Sequence, residues 1–136
     1  LLLADEQESM IDLYLERGEM FALYDQNILK TICVVTDEGG KTIELKNIAT
    51  DPQYQKQGYG KRLIRFISEH YAGKYDTLLV GTGESPLTIP FYAQNGFKYS
   101  HHIKDFFTDN YDHPIYEDGK QLVDMVYLRK ELSKSK

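Results

Sequence analysis

Tryptophan is missing from this chain, cysteine occurs once, and proline occurs four times in 136 residues. A single thiol, Cys33, excludes an internal disulfide framework, and its place in the apolar run ICVV reads as a small buried core residue rather than a nucleophile. No apolar run approaches the length of a membrane span and no signal-peptide pattern is present, so a cytoplasmic protein with no membrane partner is expected. The chain opens on Leu1 without an initiator methionine, consistent with a natural start further upstream. Basic residues form no stripe: apart from the tail RKELSKSK they are scattered, and the formal net charge is −5, which disfavours a nucleic-acid partner. Repeats and low-complexity segments are absent as well.

Two partial motifs fail on inspection. GGKT at 39–42 imitates the end of a phosphate-binding P-loop, but the full pattern needs a glycine where Val35 stands and a helix where a strand-like run follows. His101, His102 and His113 stand near several aspartates without metal-ligand spacing. Adjacent histidines on a strand point to opposite faces, so surface roles and no metal are expected.

What is present fits one folded domain over residues 1–136, with a hydrophobic share of 41% and an aromatic share of 12%. LLLA reads as a short buried strand and DEQESMIDLYLERG as a helix closed by Gly18. MFALYD and ILKTICVVTD form a hairpin across QN, DEGGK makes the next turn, and TIELKNIAT is the fourth strand. KRLIRFISEHYAG is an amphipathic helix whose apolar side is Leu63, Ile64, Ile67 and Tyr71, joined by Phe66, and Gly73 ends it. DTLLVGTG is then a buried strand, and the strand, helix, strand order argues for a parallel pair with a crossover. SPLTIPFYAQNG is a short helix with Ser85 as cap, Pro86 in the first turn and Gly96 at the end. FKYSHHIKDFF and QLVDMVYLRKEL are the last strands, joined by the long loop TDNYDHPIYEDGK.

The fourth strand breaks its own rhythm. Ile43 and Leu45 alternate, but the next large apolar residue is Ile48, three positions on. One extra residue near Lys46 and Asn47 restores the face, as a β-bulge does; a plain strand end with Asn47 at the rim fits equally. Directly afterwards, QKQGYG places two glycines at a helix start, where each weakens a helix by roughly 0.5–1 kcal/mol relative to alanine. What they provide is access. Unobstructed amide N–H groups at a helix N-terminus carry partial positive charge, and without Cβ atoms a phosphate can approach them closely.

Gln55-x-x-Gly58-x-Gly60 after a strand, with FYAQNGF at 91–97 after another, resembles the GNAT superfamily of acyl-CoA N-acyltransferases, and the element order agrees over nearly the whole chain. The resemblance implies a three-layer α+β fold, with a central mixed, mostly antiparallel sheet of about six to seven strands, helices on both faces and a bulged fourth strand. It implies that acetyl-CoA is the co-substrate and that Gln55, Lys56, Gln57, Gly58, Tyr59, Gly60 and Lys61 hold its pyrophosphate. Ile48 and Ala49 would pair with pantetheine, Tyr92 would be the general acid and Glu44 the base. Family members often place an asparagine near the second helix to touch the cofactor, where GTGESP offers Glu84 and Ser85; Ser85 is taken as that contact. The family also commonly carries two helices between its first strands, where this chain has room for one. Many relatives dimerise, so a homodimer is admitted.

The activity so implied is transfer of acetyl from acetyl-CoA to a primary amine, on a small molecule or a peptide, by direct attack in a ternary complex. A non-catalytic acyl-CoA or nucleotide sensor on the same fold is the alternative. Acidic residues Asp105, Asp109, Asp112, Glu117 and Asp118 alternate with Phe106, Phe107, Tyr111 and Tyr116. That mixture suits a cationic amine, and equally a solvated loop whose aromatics pack on the core.

Overall fold

The computed structural model describes residues 18–117 and 119–132; the expected opening strand and first helix lie outside the described residues. The chain divides into two compact units, residues 18–78 with Leu132, and residues 79–131. Among the described residues, eight strands and the helices between them make the α+β fold, with three consecutive strands pairing in the first unit.

In the first unit β1 (Gly18–Asp25) and β2 (Ile28–Gly39) form the expected hairpin, turned by Gln26 and Asn27. Both turn residues have positive φ, 54° and 63°, the geometry that follows the twist of paired strands. Strand β3 (Thr42–Thr50) pairs antiparallel with β2, opposing Val35 to Leu45 and Val34 to Asn47. Lys46 is the extra residue between them, so the bulge read from the spacing is present. Helix α1 (Tyr59–Tyr71) packs on these strands and buries Leu63, Ile64, Ile67 and Tyr71, with Cys33, Val35, Ile43 and Leu45 also in the core. Phe66 departs from the expected stripe. It is 51% exposed at the flank, stacked on His70 with ring centroids 5.7 Å apart.

Three tyrosines tie α1 and its exit to the hairpin. Tyr59 donates to Asp25 at 3.0 Å, Tyr71 to Glu19 at 2.5 Å, and Tyr75 to Asp37 at 2.9 Å. The Gly39 amide and then the Tyr75 hydroxyl hold the Asp37 carboxyl below its ordinary range. Burial, and then Glu19, push the Tyr71 hydroxyl up.

In the second unit β4 (Thr77–Gly83), whose first two residues belong to the first unit, leads to α2 (Thr88–Gln94). Gly83 has a packing reason: a Cβ there would stand 2.6 Å from Leu122 Cδ2. Helix α2 begins two residues later than its cap suggests, because Ser85 Oγ accepts from the Leu87 and Thr88 amides, at 3.1 and 3.4 Å, and holds a turn ahead of it. Strand β5 (Lys98–Ile103) pairs antiparallel with β8 (Met125–Glu131).

Two elements differ from expectation. The run 97–107 is not one strand: β5 stops at Ile103, Asp105 turns the chain at φ 56°, and α3 (Phe106–Asn110) follows. Tertiary bonds override the aromatic strand signal here. The Asp105 amide donates to Asp124 Oδ1 and the Phe107 amide to the Val123 carbonyl, and Phe107 enters a cluster with Ile115 and Leu122. The final strand starts only at Met125, because Lys120–Gln121 (β7) pairs instead with Tyr116–Glu117 (β6) in a small hairpin.

Tyr71→Phe is expected to lower stability by about 1–2 kcal/mol, read by urea denaturation near neutral pH. The folded hydroxyl titrates above its ordinary 10.0. Its contribution is therefore complete below the unfolded value and lost as pH rises through the folded one, so the gap between wild type and variant closes in alkali.

Candidate active site

The bulge decides what β3 presents. Glu44 opposes Thr36 and Asn47 opposes Val34, so both lie on the face away from Leu45 and Val35. In a regular strand, residues three apart would point to opposite faces; the extra Lys46 brings Glu44 and Asn47 to the same one. Glu44 is buried, with its side chain 9% exposed, and its carboxylate meets Lys46 Nζ at 3.2 Å. Ile48 opposes Cys33 and Ala49 opposes Ile32, both half-buried, and the Ala49 carbonyl accepts from Thr31 Oγ1 at 2.8 Å.

Past β3 the chain makes one 3-10 turn, Pro52–Tyr54, capped by the Asp51 carboxylate on the Gln53 amide at 2.9 Å. Gln55 then reaches back to the Thr50 carbonyl and Gln57 to that of Gln53, each at 3.3 Å. Lys56 has φ 63° and Gly58, the residue ahead of α1, φ 87°. No side chain caps this helix start, and its first turn holds no acidic residue. Nothing stands within 4 Å of where a Gly58 Cβ would be. The loop 55–58 and Lys61 are exposed, Tyr59 and Gly60 are half-buried, and Lys56 and Lys61 stand on either side of the helix start. A helix start without a capping side chain or an acidic residue leaves its positive end uncompensated, which is the electrostatic setting that favours an anion.

Around that loop are residues that the sequence did not single out. Lys30 is buried with its Nζ 3.3 Å from the centre of the Tyr54 ring and 5.5 Å from that of Tyr59. Asp25 accepts from the Tyr59 hydroxyl, holding it above its ordinary pKa, and also pairs with Arg62 at 3.9 Å. The available signal was a lone charge in the run ILKTICVV.

Tyr92 and Ser85 lie in the second unit. The carbonyl of Tyr92 accepts from Phe97 N at 3.1 Å, while the Gly96 amide, at φ 93°, donates to Ala93 at 3.2 Å. That is a Schellman close, and it comes with the apolar contact such closes favour: the Tyr92 and Phe97 rings meet edge-on at 5.5 Å. Tyr92 is buried and its ring is held on two sides, by Phe91 and Phe97. Ser85 is buried too, with its oxygen engaged by the two amides of its turn. Burial pushes the Cys33 thiol up to about 12, which removes it as a nucleophile.

A family model described as the acetyltransferase (GNAT) domain matches residues 16–99. A Bacillus subtilis (strain 168) protein described as the uncharacterized N-acetyltransferase YvbK is 38% identical, over 97% of this chain and 86% of its own. A GNAT family acetyltransferase from Elizabethkingia anophelis, solved with acetyl-CoA bound, is 35% identical with a TM-score of 0.90, covering 97% of this chain and 88% of that one. A Bacillus subtilis acetyltransferase solved in complex with CoA is 37% identical with a TM-score of 0.89, covering 97% and 88%. The chain belongs to the GNAT family and is an acetyl-CoA-dependent N-acetyltransferase.

Gly58→Ala meets no atom, so its cost is the backbone alone. It is expected to lose about 1–2 kcal/mol of stability by thermal or urea unfolding.

Proposed function

We propose that the protein moves the acetyl group of acetyl-CoA to a primary amine, on a small molecule or a peptide, by direct attack in a ternary complex, with residues 1–136 acting as one catalytic domain. The observation that carries this reading is the uncapped, glycine-led start of α1, one 3-10 turn and a short loop after a bulged strand. The loop from Gln55 to Lys61 takes the pyrophosphate through backbone amides, and Ile48 and Ala49 offer main-chain groups to pantetheine. Ser85 serves by fixing the turn after β4. The inert Cys33 argues against an acyl-cysteine relay. A sensor without turnover is not favoured, given that the relatives are acetyltransferases.

In the chemistry so proposed, the amine nitrogen forms a bond to the thioester carbonyl carbon and the carbon–sulfur bond then breaks. An ammonium acceptor first loses a proton, directly or through water, to Glu44. A backbone amide released from the ladder by the bulge at Lys46 polarises the carbonyl and holds the oxygen as charge develops there. Tyr92 gives its proton to the departing sulfur. With a free thiol near ~8.5 and a tyrosine near ~10, that transfer is uphill by about 1.5 units, roughly 2 kcal/mol. This is small beside a catalytic barrier, and packing against Phe91 and Phe97 restricts the ring from which the hydroxyl would donate.

A mass spectrum of products from a mixed amine panel incubated with acetyl-CoA tests the activity, and no acetylated amine in any reaction would refute it. Gly58→Asp puts bulk and negative charge at the helix start and is expected to abolish coenzyme A binding by calorimetry. Tyr92→Phe keeps the ring and removes the hydroxyl, so turnover should fall by about 10²–10⁴-fold. Acetyl-CoA affinity and melting temperature should hold. Glu44→Gln should slow the reaction mainly at low pH and recover as the amine deprotonates unaided; a mutant-to-wild-type ratio flat across pH would leave the proton to water alone.

A further inference from the structure

Between β1 and β2 the pairing skips a residue: Leu23 opposes Thr31, and Tyr24 opposes Leu29. The residue left over on β2 is Lys30. A bulge turns a side chain out of the alternation of its strand, and this one is buried against two tyrosines instead of reaching water. Its ammonium lies 3.3 Å from the centre of the Tyr54 ring and 5.5 Å from that of Tyr59, both inside cation–π range. The two rings meet edge-on at 6.4 Å, and they bracket the Gln55–Gly58 loop in sequence. The Lys30 carbonyl also accepts from the Asp51 amide at 3.0 Å, where the loop begins. One residue thus holds the start of the loop through its backbone and both aromatic ends through its side chain.

We propose that Lys30 is a positioning residue for the coenzyme A loop, fixing Tyr54 and Tyr59 so that Gln55–Gly60 is already in its anion-binding shape before the co-substrate arrives. This rests on the reading of that loop as the pyrophosphate site. The loop has two left-handed residues, Lys56 at φ 63° and Gly58 at φ 87°, and its own glutamine bonds are long, at 3.3 Å. Such a segment has other conformations available to it, and binding from them is weakened by the fraction of time spent away from the competent one. A cation clamped between two rings restricts that freedom without placing a side chain among the amides that meet phosphate.

The test compares Lys30→Met, which keeps the stem and removes the charge, with Lys30→Arg, whose guanidinium also stacks on aromatic rings. Lys30→Met is expected to raise the coenzyme A dissociation constant, by calorimetry, and the KM for acetyl-CoA by about 5–20-fold. The kcat at saturating acetyl-CoA should change much less, and Lys30→Arg should recover most of the affinity. Tyr54→Leu, in the half-buried end of the 3-10 turn, should give a similar loss, and combining it with Lys30→Met should add little. A folded Lys30→Met protein with unchanged coenzyme A affinity, or one that melts earlier with KM unchanged, overturns the proposal. Failure of the underlying reading looks different: Gly58→Asp would then bind coenzyme A as the wild type does.

Discussion

A strand carrying one residue more than its partner cannot keep both its hydrogen bonds and its alternation. The surplus residue leaves the ladder, and everything after it changes face. Besides the irregularity at its turn end, between Asp37 and Gly39, strand β2 takes part in two such mismatches, with Lys30 surplus against β1 and Lys46 surplus on β3. In each case the surplus residue is a lysine with a local partner, the Tyr54 ring or the Glu44 carboxylate. The second mismatch gives β3 a face with Glu44 and Asn47 together, and the first directs a buried cation to the foot of the loop that follows β3. Both come from counting residues, before any side-chain chemistry acts.

Helix α1 shows the complementary constraint. Its start is left without a capping side chain or a first-turn acid, which costs stability where a capped helix would gain about 1 kcal/mol. Stability is recovered elsewhere, by Leu63, Ile64 and Ile67 in the core and by tyrosine hydroxyls bonded to Asp25 and Glu19. The division is between an end left uncapped and a body held firmly by its core and its tyrosine bonds.

Much of this was legible in the sequence because it follows from periodicity. The interval from Leu45 to Ile48 marked the bulge at Lys46, and Gly58 and Gly60 marked an open helix start. The bulge at Lys30 left no comparable trace. Leu29 and Ile28 on one side of it are exposed hairpin-end residues, so no apolar rhythm exists there to be interrupted. At the other end of the chain, aromatic residues imitated a strand through Phe107, while the actual geometry depends on residues far along the sequence, Val123 and Asp124, that capture the backbone of 105–107. The burial of Glu44 could not be read, since it looks like an ordinary solvated charge until the covering residues are in place, and for Lys30 the one hint is the lone charge in ILKTICVV.

The solitary thiol has a consequence of its own. Cys33 is fully buried on β2, and burial raises its pKa from 9.0 to about 12, so both access and thiolate supply are closed in the native state. Since the chain has one cysteine, any alkylation must report the same event: the parting of the β1–β2–β3 ladder from α1. The molecule thus contains its own stopwatch. A slow thiol reagent, timed with and without coenzyme A, reads how often the first unit opens, with no label added and no residue changed.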